Sequence, residues 1–202
     1  PMTDALKGRI AVIGWGSLIW DLDNLAPFVT GDWMMGAGPS LPFEFTRVSP
    51  KRKMGLAVCL DYTNGDPCPT NAILSIRDDI DEAAEELRAR ERAKVIDYIG
   101  MIHPASGARR SSIPEVADIF ADWCRRTGAA GAVWTDLGGN FEEDRGTSFS
   151  VPRAIGYLKT LNGESLIEAV RYIEYAPAAT NTPLRRALAK DEWWRAQAAK
   201  YC

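Results

Sequence analysis

One stretch near the start of the chain decides the expected fold: RIAVI at residues 9–13, which runs directly into GWGSL at residues 14–18. The apolar, β-branched first half predicts a buried strand that ends at Gly14. The small residues of the second half predict a loop, in which successive backbone N–H groups can turn towards one anion. A tight turn that leaves a sheet is the plainer interpretation of the same residues. A dinucleotide fingerprint is excluded because its third glycine would fall at Ile19, and a Walker loop is excluded because no Gly-Lys-Ser/Thr is present.

Outward from this stretch, strands are expected mostly in the first half of the chain and helices mostly in the second. The expected strands lie at 43–48, 56–61, 71–76, 95–102 and 131–137, and the expected helices at 78–94, 114–126, 165–175 and 184–200. The helix at 78–94 should start at Asp78 or Asp79, because acids crowd its first turns. Residues 27–41, rich in Gly, Pro and Met, are expected to be irregular. This order favours a single α+β domain over residues 1–202, with a curved or barrel sheet.

Composition and charge narrow the function classes. The 202 residues carry a net charge of -3, which disfavours a nucleic-acid partner because phosphate binding relies on basic residues. No apolar run approaches the roughly 18 to 20 residues that span a bilayer, and the first residues lack a secretory pattern, so no membrane partner is expected. The four cysteines show no Cys-x-x-Cys spacing, which suits reduced thiols and a cytoplasmic location.

The single histidine, His103, limits the chemistry further. One histidine cannot form a multi-histidine metal site, and its turn-like surroundings predict an ordinary loop residue. The acidic run at 142–144 lacks the alternating spacing of a calcium loop and is expected to be a solvated charge cluster. The sequence therefore predicts no metal site. If the protein is an enzyme, its acid/base group should be a carboxylate.

Helical periodicity singles out Glu91 as that carboxylate. With Leu87 as the zero direction of the wheel, Ile80, Ala83, Ala84 and Glu91 lie within about 60° of it, whereas the acids of the first turns lie at about 100° or more. A carboxylate on an apolar face is costly unless it is paired or lines a pocket. An ion pair with Arg88 or Arg92 is the alternative, and Arg90 also borders the apolar stripe.

The loop and the helix end together resemble the γ-glutamylcyclotransferase family, in particular its ChaC-like branch. GWGSLIW at 14–20 is similar to the family's Gly-Tyr-Gly-Ser-Leu-Ile-Trp, with Trp15 in place of the tyrosine. The sequence RER at 90–92 stands where the family has its catalytic glutamate in an Arg-Glu-Lys context, and AKV replaces the Gly-Gly-Tyr that commonly follows. NTPL at 181–184 resembles the family's Asn-Thr-x-Tyr-Leu without its tyrosine. Residues 103–146 look like an insertion relative to the short family members.

This resemblance implies a small mixed β-barrel with flanking helices and no cofactor. It also implies a reaction in which the α-amine of a small γ-glutamyl compound attacks its own γ-carbonyl, forming 5-oxoproline and releasing an amine or amino acid. Glu91 would be the general acid and base. The residues implied to bind the substrate are Trp15, Gly16, Ser17, Leu18 and Asn181. The loop N–H groups would hold the α-carboxylate or the oxyanion, so Ser17 would act through its backbone and not as a nucleophile.

Several alternatives stay open. The identity of the leaving group is open, since the substrate could be a peptide such as glutathione, a γ-glutamyl amino acid or a γ-glutamyl amine. The alternative function is a non-catalytic module of the same fold that binds a small anion or a partner, and position 91 separates the two because a binder has no use for an inward base. A third possibility is an interaction protein that uses the tryptophans of the last helix, Trp193 and Trp194.

Overall fold

The computed structural model describes residues 2–202, which form an α+β structure with nine strands and seven α-helices. The strands are β1 (Ile10–Gly14), β2 (Val29–Met34), β3 (Leu41–Ser49), β4 (Gly55–Leu60), β5 (Asp66–Cys68), β6 (Asn71–Ser75), β7 (Ile99–His103), β8 (Ala108–Arg110) and β9 (Gly131–Thr135). The helices are α1 (Ile80–Glu91), α2 (Pro114–Thr127), α3 (Phe141–Arg145), α4 (Val151–Thr160), α5 (Gly163–Tyr175), α6 (Pro183–Leu188) and α7 (Glu192–Tyr201). None of these described helices is long and apolar enough to cross a membrane.

The chain divides into two compact units, each built from two segments and each with its own sheet. The first unit comprises the described residues up to Ser40 together with Pro69–Leu137, and the second comprises Leu41–Cys68 and Gly138–Cys202. The first unit holds the loop after β1 and the end of α1, so the residues of the predicted site from positions 15 to 18 and 91 share one unit.

The first unit is a six-stranded mixed sheet with the order β2-β6-β1-β9-β7-β8. β1 pairs antiparallel with β6 and parallel with β9, and all five of its residues are buried. Such a fully apolar strand suits the middle of a sheet that is covered on both faces. Helix α1 contributes the apolar side chains of Ile80, Ala83, Ala84 and Leu87 to the same core cluster as β1.

The second unit has a three-stranded antiparallel sheet, in the order β4-β3-β5. Helices α3 to α7 belong to this unit, and α5 packs on β4. The hydroxyl of Tyr172 on α5 accepts the N–H of Val58 on β4 at 3.3 Å, and that of Tyr157 on α4 donates to the carbonyl of Met54 at 2.6 Å. These two hydrogen bonds fix α5 and α4 relative to the sheet. Without them, polar groups of the helices and of the sheet would be buried without a hydrogen-bond partner.

The expected closed barrel is wrong. In residues 2–202 the two sheets stay separate and open, and the terminal strands of the larger one, β2 and β8, do not pair with each other. A barrel needs its edge strands to exchange ladder hydrogen bonds. β8 is only three residues long, and the register of β2 shifts between Thr30 and Met34, so neither edge offers a long regular partner.

Several boundaries differ from the sequence-based expectation. Residues 27–41 were expected to be irregular but include β2. The expected helix at 184–200 is two helices, α6 and α7, with Asp191 capping the second through its bond from Trp194 N. Helix α4, which has no counterpart in the sequence-based expectation, is capped by Ser150, whose side chain accepts the N–H of Arg153. The segment 103–146, expected to be an insertion, contributes β9 to the middle of the larger sheet.

Candidate functional site

The side chain of Arg90 joins the end of α1 to the loop that follows β1. Its guanidinium Nη2 and Nε donate to the carbonyl oxygen of Asp21 at 2.6 and 3.2 Å. Nη2 also donates to Oγ of Ser17 at 3.3 Å, and Nη1 lies 3.5 Å from Oε1 of Glu91. The side chain is 1% exposed. A buried guanidinium is tolerated only with such partners, so these contacts fix Arg90 and, through it, the relation of Glu91 to the loop.

Glu91 lies at the edge of the buried face of α1, as the last residue of the helix. Its side chain is 19% exposed, whereas the residues of α1 that are fully buried include Arg90. The two other basic residues of this region pair elsewhere: Arg88 with Glu85 at 2.5 Å, and Arg92 with Asp23 at 3.8 Å. The carboxylate of Glu91 is therefore neither fully solvated nor tied to Arg88, and its ion pair is with the neighbouring Arg90.

The helix ends at Glu91 for a local reason. Asp79 caps the start of α1 by accepting the N–H groups of Asp81 and Glu82, which agrees with the predicted cap. At the other end, Arg92 takes a left-handed backbone conformation with φ 54°, which stops the helix. Asp23, its ion-pair partner, has φ 50°. A left-handed conformation in a non-glycine residue costs roughly 1 to 2 kcal/mol, and such strained residues cluster at functional sites.

The loop after β1 presents backbone donors that the protein itself does not use. In residues 2–202 the N–H groups of Gly16, Ser17 and Leu18 make no hydrogen bond, while the turn over Ser17–Ile19 uses the carbonyl of Gly16 instead. Gly16 and Leu18 are buried residues. The leading N–H groups of a helical turn have no partner within it, so these three are candidate donors to an anionic group.

Two aromatic residues border this loop. Trp15 is 6% exposed. The ring of Trp33 on β2 passes so close to Gly14 that any larger residue at that position would overlap it. Nε1 of Trp33 is buried and has no hydrogen-bond partner in the described chain. It is a further buried donor on the residue that packs against Gly14, and nothing in the sequence pattern of residues 27–41 could have identified it.

Asn181 belongs to the second unit. It is exposed, it precedes α6, and its carbonyl oxygen accepts a hydrogen bond from Nη1 of Arg186 at 2.8 Å. The structure thus places Trp15, Gly16, Ser17, Leu18 and Glu91 in the first unit, where Arg90 contacts Ser17 and Glu91, and it places Asn181 in the other unit. Of the residues that the sequence missed, Arg90 had a signal, since it borders the apolar stripe of α1.

Searches for related proteins add nothing to this picture. A scan against protein-family models, a search of curated proteins and a search of solved structures each returned no match to this chain. Among residues 2–202, no three His, Cys, Asp or Glu side chains are grouped as ligands for a metal ion. Function must therefore be argued from the geometry around Arg90.

Proposed function

We propose that the protein is a γ-glutamylcyclotransferase-type enzyme, which cyclises a small γ-glutamyl compound to 5-oxoproline and releases an amine or amino acid. The observation that carries this proposal is the position of Arg90. Its guanidinium contacts both Oγ of Ser17 and Oε1 of Glu91, so one buried side chain joins the loop with free N–H groups to the partly exposed carboxylate. A donor cluster beside a potential base is what intramolecular acyl transfer requires.

The substrate would bind in a folded pose. The N–H groups of Gly16, Ser17 and Leu18 are suited to the α-carboxylate of the γ-glutamyl group, or to the oxyanion that forms on its γ-carbonyl. Either contact would bring the α-amine towards the γ-carbonyl carbon. Because the attack is intramolecular, holding this pose supplies much of the rate enhancement.

Glu91 would move the proton. The α-ammonium must lose a proton before its nitrogen can attack the γ-carbonyl, and the leaving nitrogen must gain one when the C–N bond breaks. One carboxylate within reach of both nitrogens can take the first proton and deliver it to the second. Arg90 would act as a positioning residue. Its hydrogen bonds to the Asp21 carbonyl hold the guanidinium in place, and Glu91 would be oriented against that fixed guanidinium.

The test is production of 5-oxoproline from glutathione, from a γ-glutamyl amino acid and from a γ-glutamyl amine. Glu91→Gln should keep the fold and lower turnover about 10² to 10⁴-fold, while Ser17→Ala should have a milder effect because the proposed contacts there are backbone N–H groups. Glu85→Gln is the matched control: the residue is on the same helix, exposed and paired with Arg88, and its loss should leave turnover unchanged. Release of 5-oxoproline at the wild-type rate by a folded Glu91→Gln protein would refute the mechanism.

The free N–H groups also favour a second candidate function, a non-catalytic module that binds a small anion. Such a module needs the loop but not Glu91. It would bind the γ-glutamyl compounds with equal affinity in the wild type and in Glu91→Gln, and neither protein would release 5-oxoproline.

A further inference from the structure

A separate cavity of about 310 Å³ lies among α5, α6 and α7 in the second unit. None of its residues belongs to the proposed catalytic site. It is lined by Ile173, Glu174, Arg185, Leu188, Ala189, Trp194, Arg195 and Ala198. A volume of this size is at the lower end of the range of small-molecule sites, and apolar walls with a few polar groups are typical of them.

Arg185 is held in this cavity by carbonyl groups alone. Its Nη1 donates to the carbonyls of Pro177 at 2.6 Å and Thr180 at 3.0 Å, and Nη2 donates to that of Ala176 at 3.1 Å. In the part of the chain that the structure describes, it makes no other hydrogen bond and has no carboxylate within ion-pair distance. The side chain is therefore fixed in place while its formal charge stays without a close counterion.

These carbonyls engage Nη1 twice and Nη2 once, and Nε donates to no group of the described chain. Nε and Nη2 lie on one edge of the planar guanidinium, and such an edge matches the two oxygens of a carboxylate. Neither nitrogen is among the buried donors that lack a partner, so Nε, which makes no hydrogen bond, keeps access to solvent. Burial lowers the pKa of Arg185, and the charge of Glu174 in the same cavity opposes this effect only in part.

The remaining charged groups of the cavity are Glu174 and Arg195. Oε1 of Glu174 accepts the Nε1–H of Trp194 at 2.6 Å, so this carboxylate is engaged by the indole. Arg195 is exposed. The formal charge of the lining is thus positive by one, and the rest of it is apolar.

From this geometry we infer that the cavity binds a small organic carboxylate with a compact apolar body. The carboxylate pairs with the Nε/Nη2 edge of Arg185, and the body packs against Leu188, Trp194 and Ala198. Binding requires no rearrangement of Arg185, because its carbonyl partners already hold it, and such preorganisation reduces the entropic cost of binding.

The experiment compares three ligands of nearly the same shape by calorimetric titration of the full chain at constant ionic strength. Benzoate carries the negative charge, benzamide is neutral, and benzamidine is positive. Benzoate should bind saturably, benzamide should bind about tenfold more weakly or worse because it loses the charge-assisted pair, and benzamidine should not bind. Equal affinity for the three ligands, tighter binding of benzamidine through Glu174, or no saturable binding of benzoate would each overturn the assignment.

Two variants place the ligand. Arg185→Gln should lower benzoate affinity about tenfold or more, and Arg186→Gln is its control, because that neighbouring arginine pairs with Asp66 outside the cavity. Since Arg185 also ties the carbonyls of 176–180, the variant could lose its fold. Ala198→Phe decides in that case: it leaves Arg185 intact, fills the cavity and should abolish binding. Benzoate affinity that is unchanged in folded Ala198→Phe protein would overturn the proposal.

Discussion

Glu44 is a fully buried carboxylate in the second unit, and its replacement gives a sharp test of the packing. It lies on β3 with 0% exposure. Oε1 accepts the N–H of Phe45 at 2.8 Å and Oε2 accepts the N–H of Leu184 at 3.0 Å, while the hydroxyl of Thr182 also donates to it. Glu44 therefore caps α6 from the neighbouring sheet, because it accepts a hydrogen bond from an N–H group of the first turn of α6 that has no partner within the helix.

Glu44→Gln should destabilise the protein by about 1 to 3 kcal/mol at neutral pH. The amide has the same shape but only one oxygen, so its nitrogen must face either the Phe45 or the Leu184 N–H. One buried donor is then left without an acceptor, and leaving such a donor unsatisfied costs about 1 to 3 kcal/mol. The variant no longer buries the negative charge of the Glu44 carboxylate, which reduces this cost. The cost is not reversed, because the hydrogen bonds that are lost were made to an ionised group.

The same residue gives the effect a pH dependence. Burial raises the pKa of Glu44 above its ordinary value of 4.5, against the opposing effect of its three donors. The folded protein therefore holds a proton at pH values where the unfolded chain has lost it, and the resulting stability is present below 4.5 and disappears as the pH rises through the raised pKa. A protonated carboxyl keeps two oxygens that can accept, which an amide lacks. The gap between wild type and Glu44→Gln should therefore widen as the pH is lowered from 7 towards 4.5.

Urea unfolding followed by tryptophan fluorescence at several pH values between 4.5 and 7 measures this gap. Comparing the two proteins at each pH cancels the titration of all other groups. Glu143→Gln is the control: this glutamate is exposed, and its replacement should change stability by less than about 0.5 kcal/mol at every pH. A Glu44→Gln protein as stable as wild type at neutral pH, or a gap that narrows towards low pH, would refute the reasoning.

Local sequence signals predicted the elements that build the candidate site, because those signals act within a few residues. The apolar run at 9–13 is almost all of β1, and Asp79 is one of the two predicted caps of α1. The same kind of signal could have found more. Thr182 followed by Pro183 is a helix-start pattern, and Thr182 caps α6 by accepting the N–H of Arg185.

What the sequence could not predict depends on contacts between distant residues. The parallel pairing of β1 with β9 joins residues that are about 120 positions apart, as in Ile10 with Gly131, and no local pattern specifies it. The expected barrel came from the order of the elements and from the family resemblance, and neither of these specifies long-range pairings. The burial of Arg90 is also a long-range property, since it depends on the Asp21 carbonyl reaching the end of α1. A helical wheel shows that position 90 borders the apolar face of α1, but it does not show that the Asp21 carbonyl lies there to accept hydrogen bonds from the guanidinium.

Two further expectations concern thiols and glycines. In the native protein about one thiol per chain, that of Cys202, should react with Ellman's reagent and release one equivalent of its coloured aryl thiolate, because the other three cysteines are buried. All four thiols should react after unfolding. Gly100→Ala and Gly156→Ala should have opposite effects on the free energy of unfolding. An added Cβ at Gly100 would overlap the ring of Trp134, a fully buried residue, and overpacking of this kind costs about 1 to 3 kcal/mol. A Cβ at Gly156, within α4, would meet no atom within 4 Å, so that alanine should stabilise the helix by about 0.5 to 1 kcal/mol. Urea unfolding of both variants measures the contrast, and equal effects would mean that the packing of Trp134 against β7 is not as described.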